Sequence, residues 1–145
     1  MKNLTFRYIQ KSDMDDVFEL LNQLTEIDYS DRDKNICWDE FKSGCSIGIV
    51  GLHNDKIVAY GSIVIENKIR GEKAGHIEDI VVNSKFRGMD IGVKLIRKLT
   101  KIGDNRGCYR ITLFCDESLI NFYGKNRFNA KASEVALKRY LNENV

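Results

Sequence analysis

VVNSKFRGMDIG, residues 81–92, runs from β-branched apolar residues through a basic, glycine-containing turn into a helical pattern. Backbone N–H groups in the first turn of a helix have no intrahelical partner and carry partial positive charge, so they can bind an anion. Gly88 and Gly92 leave room for a phosphate, and Arg87 adds a fixed charge suited to pyrophosphate. The stretch has neither the GKS or GKT ending of a P-loop nor the G-x-G-x-x-G pattern of a dinucleotide fold. These residues alone predict a strand-to-helix turn that either binds an anion or is purely structural.

The composition fits one globular domain with a core of its own. The chain has 145 residues, 43% of them hydrophobic, and it contains no proline or low-complexity tract that could mark a linker. We therefore predict a single domain over residues 1–145. Its 23 basic and 21 acidic residues leave a net charge of +2, which gives no reason to expect nucleic acid or an anionic membrane as a partner.

Metal binding and membrane insertion are not expected from the composition. The four cysteines lie too far apart for paired zinc knuckles, the two histidines add little metal-binding capacity, and the thiols are expected to be reduced. The amino terminus lacks the apolar run of a signal peptide, and no segment approaches the roughly 20 apolar residues of a membrane span. The chain ends in NENV, without a peroxisomal tail. We expect a soluble, cytoplasmic protein.

Hydrophobic periodicity predicts alternating strands and helices. Ser12 and Asp15 resemble a capping box at the start of a helix, residues 26–34 indicate a loop, and residues 53–55 have the chemistry of a hairpin turn. The predicted elements are a strand over 4–9, a helix after residue 12 that ends near residue 25, a short helix over 38–44, strands over 45–52, 56–65 and 76–82, a helix over 91–102, a strand over 108–115, a short helix over 118–126 and a final strand near 133–141. This order predicts an α/β fold with a mixed sheet.

Three stretches together carry a resemblance to a known family. HIEDIVV (76–82), followed by RGMDIG (87–92), resembles the acetyl-coenzyme A binding core of the GNAT superfamily of N-acetyltransferases. With GCYRITLFCD (107–116) and FYGKNRF (122–128), the pattern is similar to the glucosamine 6-phosphate N-acetyltransferase family. The resemblance implies the GNAT fold, in which helices flank a central mixed, largely antiparallel sheet.

The resemblance implies acetyl-coenzyme A as cosubstrate and assigns residues to it. Strand backbone would hydrogen-bond the pantetheine arm, and the turn before the helix would hold the pyrophosphate. Asp90 stands where relatives often have glycine, so we expect its side chain to point to solvent while its N–H still donates. The implied coenzyme-binding residues are Ile80, Val81, Val82, Arg87, Gly88, Met89, Asp90, Ile91, Gly92, Asn121 and Tyr123.

It also implies glucosamine 6-phosphate as the acceptor, with a product that enters UDP-N-acetylglucosamine biosynthesis. Glu78 and Asp79 fall where the family binds the amino sugar, and a solvated strand pair is the structural alternative. Lys68, Arg70 and Arg139 are candidates for binding the phosphate, although each could also be an ordinary surface charge. The implied substrate-binding residues are Thr25, Lys68, Arg70, Glu78, Asp79, Ile80 and Arg139.

Tyr123 and Asp79 are the candidate catalytic residues. Tyr123 matches the family's tyrosine beside the thioester sulfur, where a phenol can protonate a leaving thiolate, and packing between Phe122 and Phe128 is the alternative. Relatives commonly carry an acidic residue two positions before the aspartate of LFCD, whereas this chain has Phe114. The expected mechanism is direct transfer in a ternary complex, without a covalent acetyl-enzyme.

The family usually forms a homodimer with shared sites, and the apolar pattern VALKRYL (135–141) could supply the contacts. Two other functions stay open. A GNAT enzyme acting on a protein amino group or a polyamine would not need cations for a phosphate. A non-catalytic acetyl-coenzyme A sensor would not need Tyr123, which this chain retains.

Overall fold

One sheet of five strands organises the larger part of the computed structural model, which describes residues 3–26 and 32–141. Residue contacts divide the chain into two units, Met1–Phe114 and Cys115–Val145, which are described separately below. The first unit contains the strands β1 (Leu4–Tyr8), β2 (Ser46–His53), β3 (Lys56–Asn67), β4 (Lys73–Val82) and β5 (Cys108–Thr112) and the helices α1 (Met14–Leu24), α2 (Lys34–Ser43) and α3 (Ile91–Asn105). The second unit contains α4 (Ile120–Gly124).

The strands lie in the sheet in the same order as in the chain. β1, β2, β3 and β4 pair antiparallel with their neighbours, whereas β4 and β5 pair parallel. Parallel neighbours need a crossover, and α3 provides it. The predicted mixed, largely antiparallel sheet is therefore confirmed.

The helices α1 and α3 cover opposite faces of the sheet. Val17 of α1 belongs to a buried cluster that includes Tyr60 of β3. On the other face, a β-carbon built at Gly61 would lie 3.1 Å from Leu99 of α3. Because successive side chains of a strand point to opposite faces, β3 directs Tyr60 and Ser62 toward the α1 side and Gly61 toward the α3 side.

The start of α1 differs from the predicted capping box of Ser12 and Asp15. The carboxylate of Asp13 accepts a hydrogen bond from the N–H of Gln10 at 2.7 Å and pairs with both terminal nitrogens of Arg7 at 2.7 and 2.9 Å. Asp13 is buried, and the hydrogen bonds from Arg7 lower the pKa of its carboxyl. The acidic residue that closes this turn is therefore Asp13 rather than Asp15.

Helix α2 begins at Lys34, four residues before the predicted start at residue 38. The reason is an N-cap that the prediction missed: the carboxylate of Asp33 accepts hydrogen bonds from the N–H groups of Asn35 and Ile36 at 2.8 and 3.2 Å. The predicted loop over 26–34 therefore ends earlier, and its residues 27–31 lie outside the described residues.

The prediction of a final strand near 133–141 is wrong, because residues 134–140 have no regular secondary structure. Val135 and Leu137 are 79% and 91% exposed. A strand needs a neighbouring strand that pairs with its N–H and C=O groups. An alternating sequence pattern does not show whether such a neighbour is present. The strand predicted over 108–115 likewise ends at Thr112. None of the helices among residues 3–26 and 32–141 has the length and apolar character needed to cross a membrane.

Candidate functional site

A β-bulge in β4 forms the centre of the candidate site. Gly61 of β3 faces two residues, Asp79 and Ile80, because the pairing of β3 with β4 shifts register there. Asp79 adopts a φ of 54°, a left-handed conformation that aspartate tolerates better than most residues. Regular alternation would send Glu78 and Asp79 to opposite faces, but the extra residue allows both to line one cavity.

Gly61 is required at this point because Ile80 occupies the space beside it. A β-carbon at position 61 would lie 2.4 Å from Cδ1 of Ile80 and within 3.3 Å of leucine side chains of α3. Carbon atoms pack at about 3.5–4.0 Å, so a side chain cannot be added without displacement. The glycine therefore allows the bulge to direct Ile80 to the α3 face and Asp79 to the cavity.

The cavity has a volume of about 330 Å³ and is bounded by α1, α2 and the sheet. Glu78 and Asp79 contribute carboxylates, and Ser46, Tyr60 and Ser62 contribute hydroxyl groups. Its remaining walls consist of Cys37 and of the apolar residues Ile9, Met14, Val17, Phe18, Leu21, Phe41 and Val64. No basic residue of the described chain lines it. These groups suit a small ligand that presents an amine and hydroxyl groups to the two acidic side chains.

Desolvation changes the titration of two groups in the cavity. Asp79 is exposed at its opening, yet partial desolvation by the surrounding walls raises the pKa of the carboxyl. Tyr60 is only 5% exposed, and burial, together with the charge of Asp79, raises its pKa to about 12, although Ser62 opposes this shift. Tyr60 therefore stays a neutral phenol near pH 7, and Asp79 is a stronger base than a fully solvated aspartate.

The turn from β4 into α3 contains two residues with positive φ and an exposed arginine. Gly88 has a φ of +82°, and a β-carbon there would meet no atom within 4 Å. Asp90, the residue before the helix, is left-handed with a φ of 57° and makes no side-chain cap, and its side chain is exposed as predicted. Within the described chain, exposed Arg87 makes no hydrogen bond or ion pair, so its guanidinium can meet an anion.

Two contacts that the sequence did not indicate hold the beginning of this turn. The N–H of Ser84 donates to Oε1 of Gln23 in α1 at 3.0 Å. The ring of Phe86 lies 5.4 Å from the ring of His53 in β2. Neither contact follows a local motif, because each joins residues more than 30 positions apart in the chain. The turn is thereby attached to both α1 and the sheet.

The cations proposed for a phosphate, Lys68 and Arg70, do not line the cavity. Nζ of Lys68 lies 3.1 Å from the carboxylate of Glu66. Arg70 pairs with Glu72 at 2.8 Å and donates to the hydroxyl of Tyr109 at 3.0 Å. Both charges thus face acidic neighbours at the turn that joins β3 to β4.

His76 joins three strands of the sheet rather than facing the cavity. Its Nε2 lies 2.9 Å from the carboxylate of Glu66 in β3, and its Nδ1 lies 2.9 Å from the hydroxyl of Thr112 in β5. The hydrogen bond to His76 is the main reason that the pKa of Glu66 is lowered, and Lys68 adds to it. This network has a structural role between strands.

The remaining residues of β4 and its turn have different exposures. Val81 and Ile91 are buried, with exposed fractions of 3% and 1%. Ile80 and Val82 are half-buried, and Met89 is 47% exposed. Gly92 is buried in the first turn of α3. Thr25, at the end of α1, is exposed and does not line the cavity.

In the second unit, Tyr123 lies in α4 and is 9% exposed. Its ring makes edge contacts with Phe122 and Phe128, at centroid distances of 4.9 and 6.2 Å. Burial, with a smaller contribution from Cys115, raises the pKa of its phenol, so the hydroxyl is protonated near neutral pH and can donate. Asn121 and Arg139 of this unit are exposed.

Comparisons with known proteins agree on one family. The Acetyltransferase (GNAT) family matches residues 14–128. The chain is 36% identical over 141 residues to glucosamine 6-phosphate N-acetyltransferase 1 of Dictyostelium discoideum, covering 92% of this chain and 90% of that one. It is 34% identical over 140 residues to glucosamine 6-phosphate N-acetyltransferase of Trypanosoma brucei brucei, covering 93% and 95%. The crystal structure of glucosamine-6-phosphate N-acetyltransferase from Arabidopsis thaliana matches with a TM-score of 0.87 at 32% identity, covering 97% and 100%.

Proposed function

This chain belongs to the Acetyltransferase (GNAT) family, and from that premise we propose that it transfers the acetyl group of acetyl-coenzyme A to the amine of glucosamine 6-phosphate. It would do so as a single domain over residues 1–145. The observation that carries the proposal is the bulge that directs Glu78 and Asp79 into one cavity on the strand leading to the Arg87 turn. The names of the two relatives support the choice of acceptor.

The acceptor amine must be neutral when it attacks the thioester carbonyl. Asp79 has a raised pKa and lies at the opening of the cavity, so it can accept a proton from the ammonium group directly or through water. Glu78 supplies a second acceptor that can orient the amine and hydroxyl groups. The roles of Asp79 and Glu78 matter more in this chain because Phe114 stands where relatives commonly have an acidic residue.

The turn at Arg87–Gly92 fits the pyrophosphate of the coenzyme. An exposed guanidinium, a glycine with open space beside it and the positive end of the α3 helix dipole are features that suit phosphate oxygens. When bound, acetyl-coenzyme A supplies the activated acyl group. The backbone of residues 80–82 would hold the pantetheine arm, and an N–H group of this strand would stabilise the oxyanion.

Tyr123 is proposed to complete the transfer. As the new C–N bond forms and the C–S bond breaks, the thiolate must gain a proton, and the amine loses one to Asp79 or water. A protonated phenol can donate that proton or a hydrogen bond. Asn121, an exposed residue of the same helix, is proposed to contact the coenzyme.

The phosphate of the acceptor needs cations from outside the described walls of the cavity. We retain Lys68, Arg70 and Arg139 as candidates and propose a homodimer with shared sites, in which a second copy can bring such cations to the cavity. Exposed Val135 and Leu137 support this assembly, because alternating apolar residues without a ladder suit a neighbouring chain. The proposed location is the cytoplasm, and the product would serve UDP-N-acetylglucosamine biosynthesis.

The test is thiol release from acetyl-coenzyme A with a panel of amines at equal ionic strength. We expect kcat/KM for glucosamine 6-phosphate to exceed that for glucosamine on the order of 100-fold or more, because two charge-assisted hydrogen bonds to phosphate contribute about 3 kcal/mol or more. Glucosamine with added inorganic phosphate is the matched control. Equal kcat/KM for the two sugars, or faster turnover of a polyamine or peptide amine, would favour a GNAT enzyme with another acceptor.

A further inference from the structure

Ser62 is a buried hydroxyl residue in a mostly apolar strand. It is 4% exposed and lies between Gly61 and Ile63 in the middle of β3. A buried hydroxyl destabilises a fold unless it makes a hydrogen bond. Ser62 meets this need by donating to the carbonyl oxygen of Glu78 in β4 at 3.3 Å. The hydroxyl of Ser62 is thus paired with the main chain of the strand that carries the bulge.

This hydrogen bond acts on the peptide group from which the bulge begins. The carbonyl of Glu78 belongs to the peptide group that joins Glu78 to Asp79. Holding that oxygen therefore restricts rotation of the peptide plane beside Asp79, whose φ is 54°. A left-handed non-glycine residue is strained and persists only where surrounding contacts determine it. Ser62 supplies such a contact from the opposite strand.

Tyr60 extends the polar contact along the same face of β3. Its ring lines the cavity with Ser62, and it is only 5% exposed. Burial and the charge of Asp79 raise the pKa of its phenol to about 12, and Ser62 opposes this shift. A row of polar groups therefore runs from Tyr60 through Ser62 to the Glu78 carbonyl, beside the point where Asp79 enters the cavity.

We propose that Ser62 is a positioning residue for the acceptor amine: its hydroxyl holds the Glu78 carbonyl and thereby aims the Asp79 carboxylate into the cavity. Ser62 acts through the bulge and need not touch the coenzyme. The inference rests on the proposed function, because it assigns the amine to Asp79. A change at Ser62 should therefore affect recognition of the acceptor but not binding of acetyl-coenzyme A, which is expected at the Arg87 turn.

The test compares Ser62→Ala with Ser62→Thr, which restores a hydroxyl, and with the control Ser43→Ala. Ser43 also donates to a carbonyl, that of Glu40 at 2.9 Å, but it is exposed on α2 outside the cavity. We expect Ser62→Ala to lower kcat/KM for glucosamine 6-phosphate roughly 10-fold, an effect of misorientation, while the Kd for acetyl-coenzyme A changes less than about twofold. Ser62→Thr should recover most of the loss, and Ser43→Ala should match the wild type.

Three outcomes would overturn the inference. One is a kcat/KM for Ser62→Ala within about twofold of the wild type. Another is equal weakening of both substrates together with a lower melting temperature, without rescue by threonine, which would indicate a purely structural hydroxyl. The third outcome is a wild type that acetylates no amine at all.

Failure of the proposed function alone gives a different result. If the wild type acetylates another amine but not glucosamine 6-phosphate, the acceptor is wrong, and the same variants are measured with the amine that is acetylated.

Discussion

Replacing Gly61 by alanine would place a methyl group where Ile80 already packs. The new β-carbon would lie 2.4 Å from Cδ1 of Ile80, 3.1 Å from Cδ1 of Leu99 and 3.3 Å from Cδ2 of Leu95. The first distance is shorter by about 1 Å than the separation of about 3.5 Å at which two carbon atoms normally come into contact. Cδ1 is the end of a flexible side chain, but the two leucines of α3 restrict where it can go.

Overpacking of a core by one methyl group costs typically about 1–3 kcal/mol. For a chain of this length, that free energy corresponds to a fall in melting temperature of roughly 3 to 10 °C. Because Ile80 belongs to the bulge, its displacement should also shift Asp79 and lower kcat/KM for the acceptor. Urea unfolding and amine kinetics measure the two effects in one preparation.

Two further variants make this prediction specific. Gly44→Ala is the control, because a β-carbon there would meet its nearest atoms at 3.7 and 3.8 Å, an ordinary contact. Ile80→Val removes the methyl group that clashes, so the double variant Gly61→Ala with Ile80→Val should be more stable than Gly61→Ala alone. A Gly61→Ala protein as stable as the wild type, or a double variant whose losses simply add, would refute this account of the bulge.

The remaining predictions concern Tyr123 and Asp13. Tyr123→Phe should reduce kcat roughly 10- to 1000-fold with little change in coenzyme affinity or melting temperature, and steady-state kinetics that keep kcat within about twofold would make it a packing residue. Arg7 lowers the pKa of Asp13, so the pair stabilises the fold above the ordinary aspartate pKa of about 3.9, and this stabilisation is lost as pH falls through the lower folded value. Asp13→Asn should therefore reduce the free energy of unfolding at pH 7 by about 1–3 kcal/mol and weaken its pH dependence between about pH 5 and 2, as urea titrations would measure. A pH dependence equal to the wild type's would assign the acid sensitivity to other carboxylates.

The elements that the sequence predicted well are those with local causes. The helix that begins at Ile91 follows from apolar spacing and from Gly88 in the turn before it, and the hairpin between β2 and β3 follows from its turn residues. The bulge has no such local cause. HIEDIVV shows two adjacent acids, but it does not show that both face one cavity, since that depends on Gly61 of the opposite strand and on the space that Ile80 takes up.

A residue pattern does not show which partner a charged side chain or a strand takes in the fold. Lys68 and Arg70 were candidates because of their charge, yet Glu66 and Glu72 lie two residues from them and pair with them. Both acids are visible in the sequence, so these ion pairs have a local signal. The segment 134–140 has the pattern of a strand but no ladder among the described residues, and periodicity cannot predict whether a ladder exists.

The charges of the cavity determine how an amino sugar phosphate can enter it. Glu78 and Asp79 attract the ammonium group but repel a phosphate, and no described residue of the wall offsets that repulsion. The amine must therefore point inward and the phosphate outward, toward cations outside the wall. Amine chemistry and phosphate recognition then become separable. A change at Asp79 should slow glucosamine and glucosamine 6-phosphate alike, whereas the loss of a phosphate-binding cation should affect only the phosphorylated sugar, whichever subunit supplies that cation.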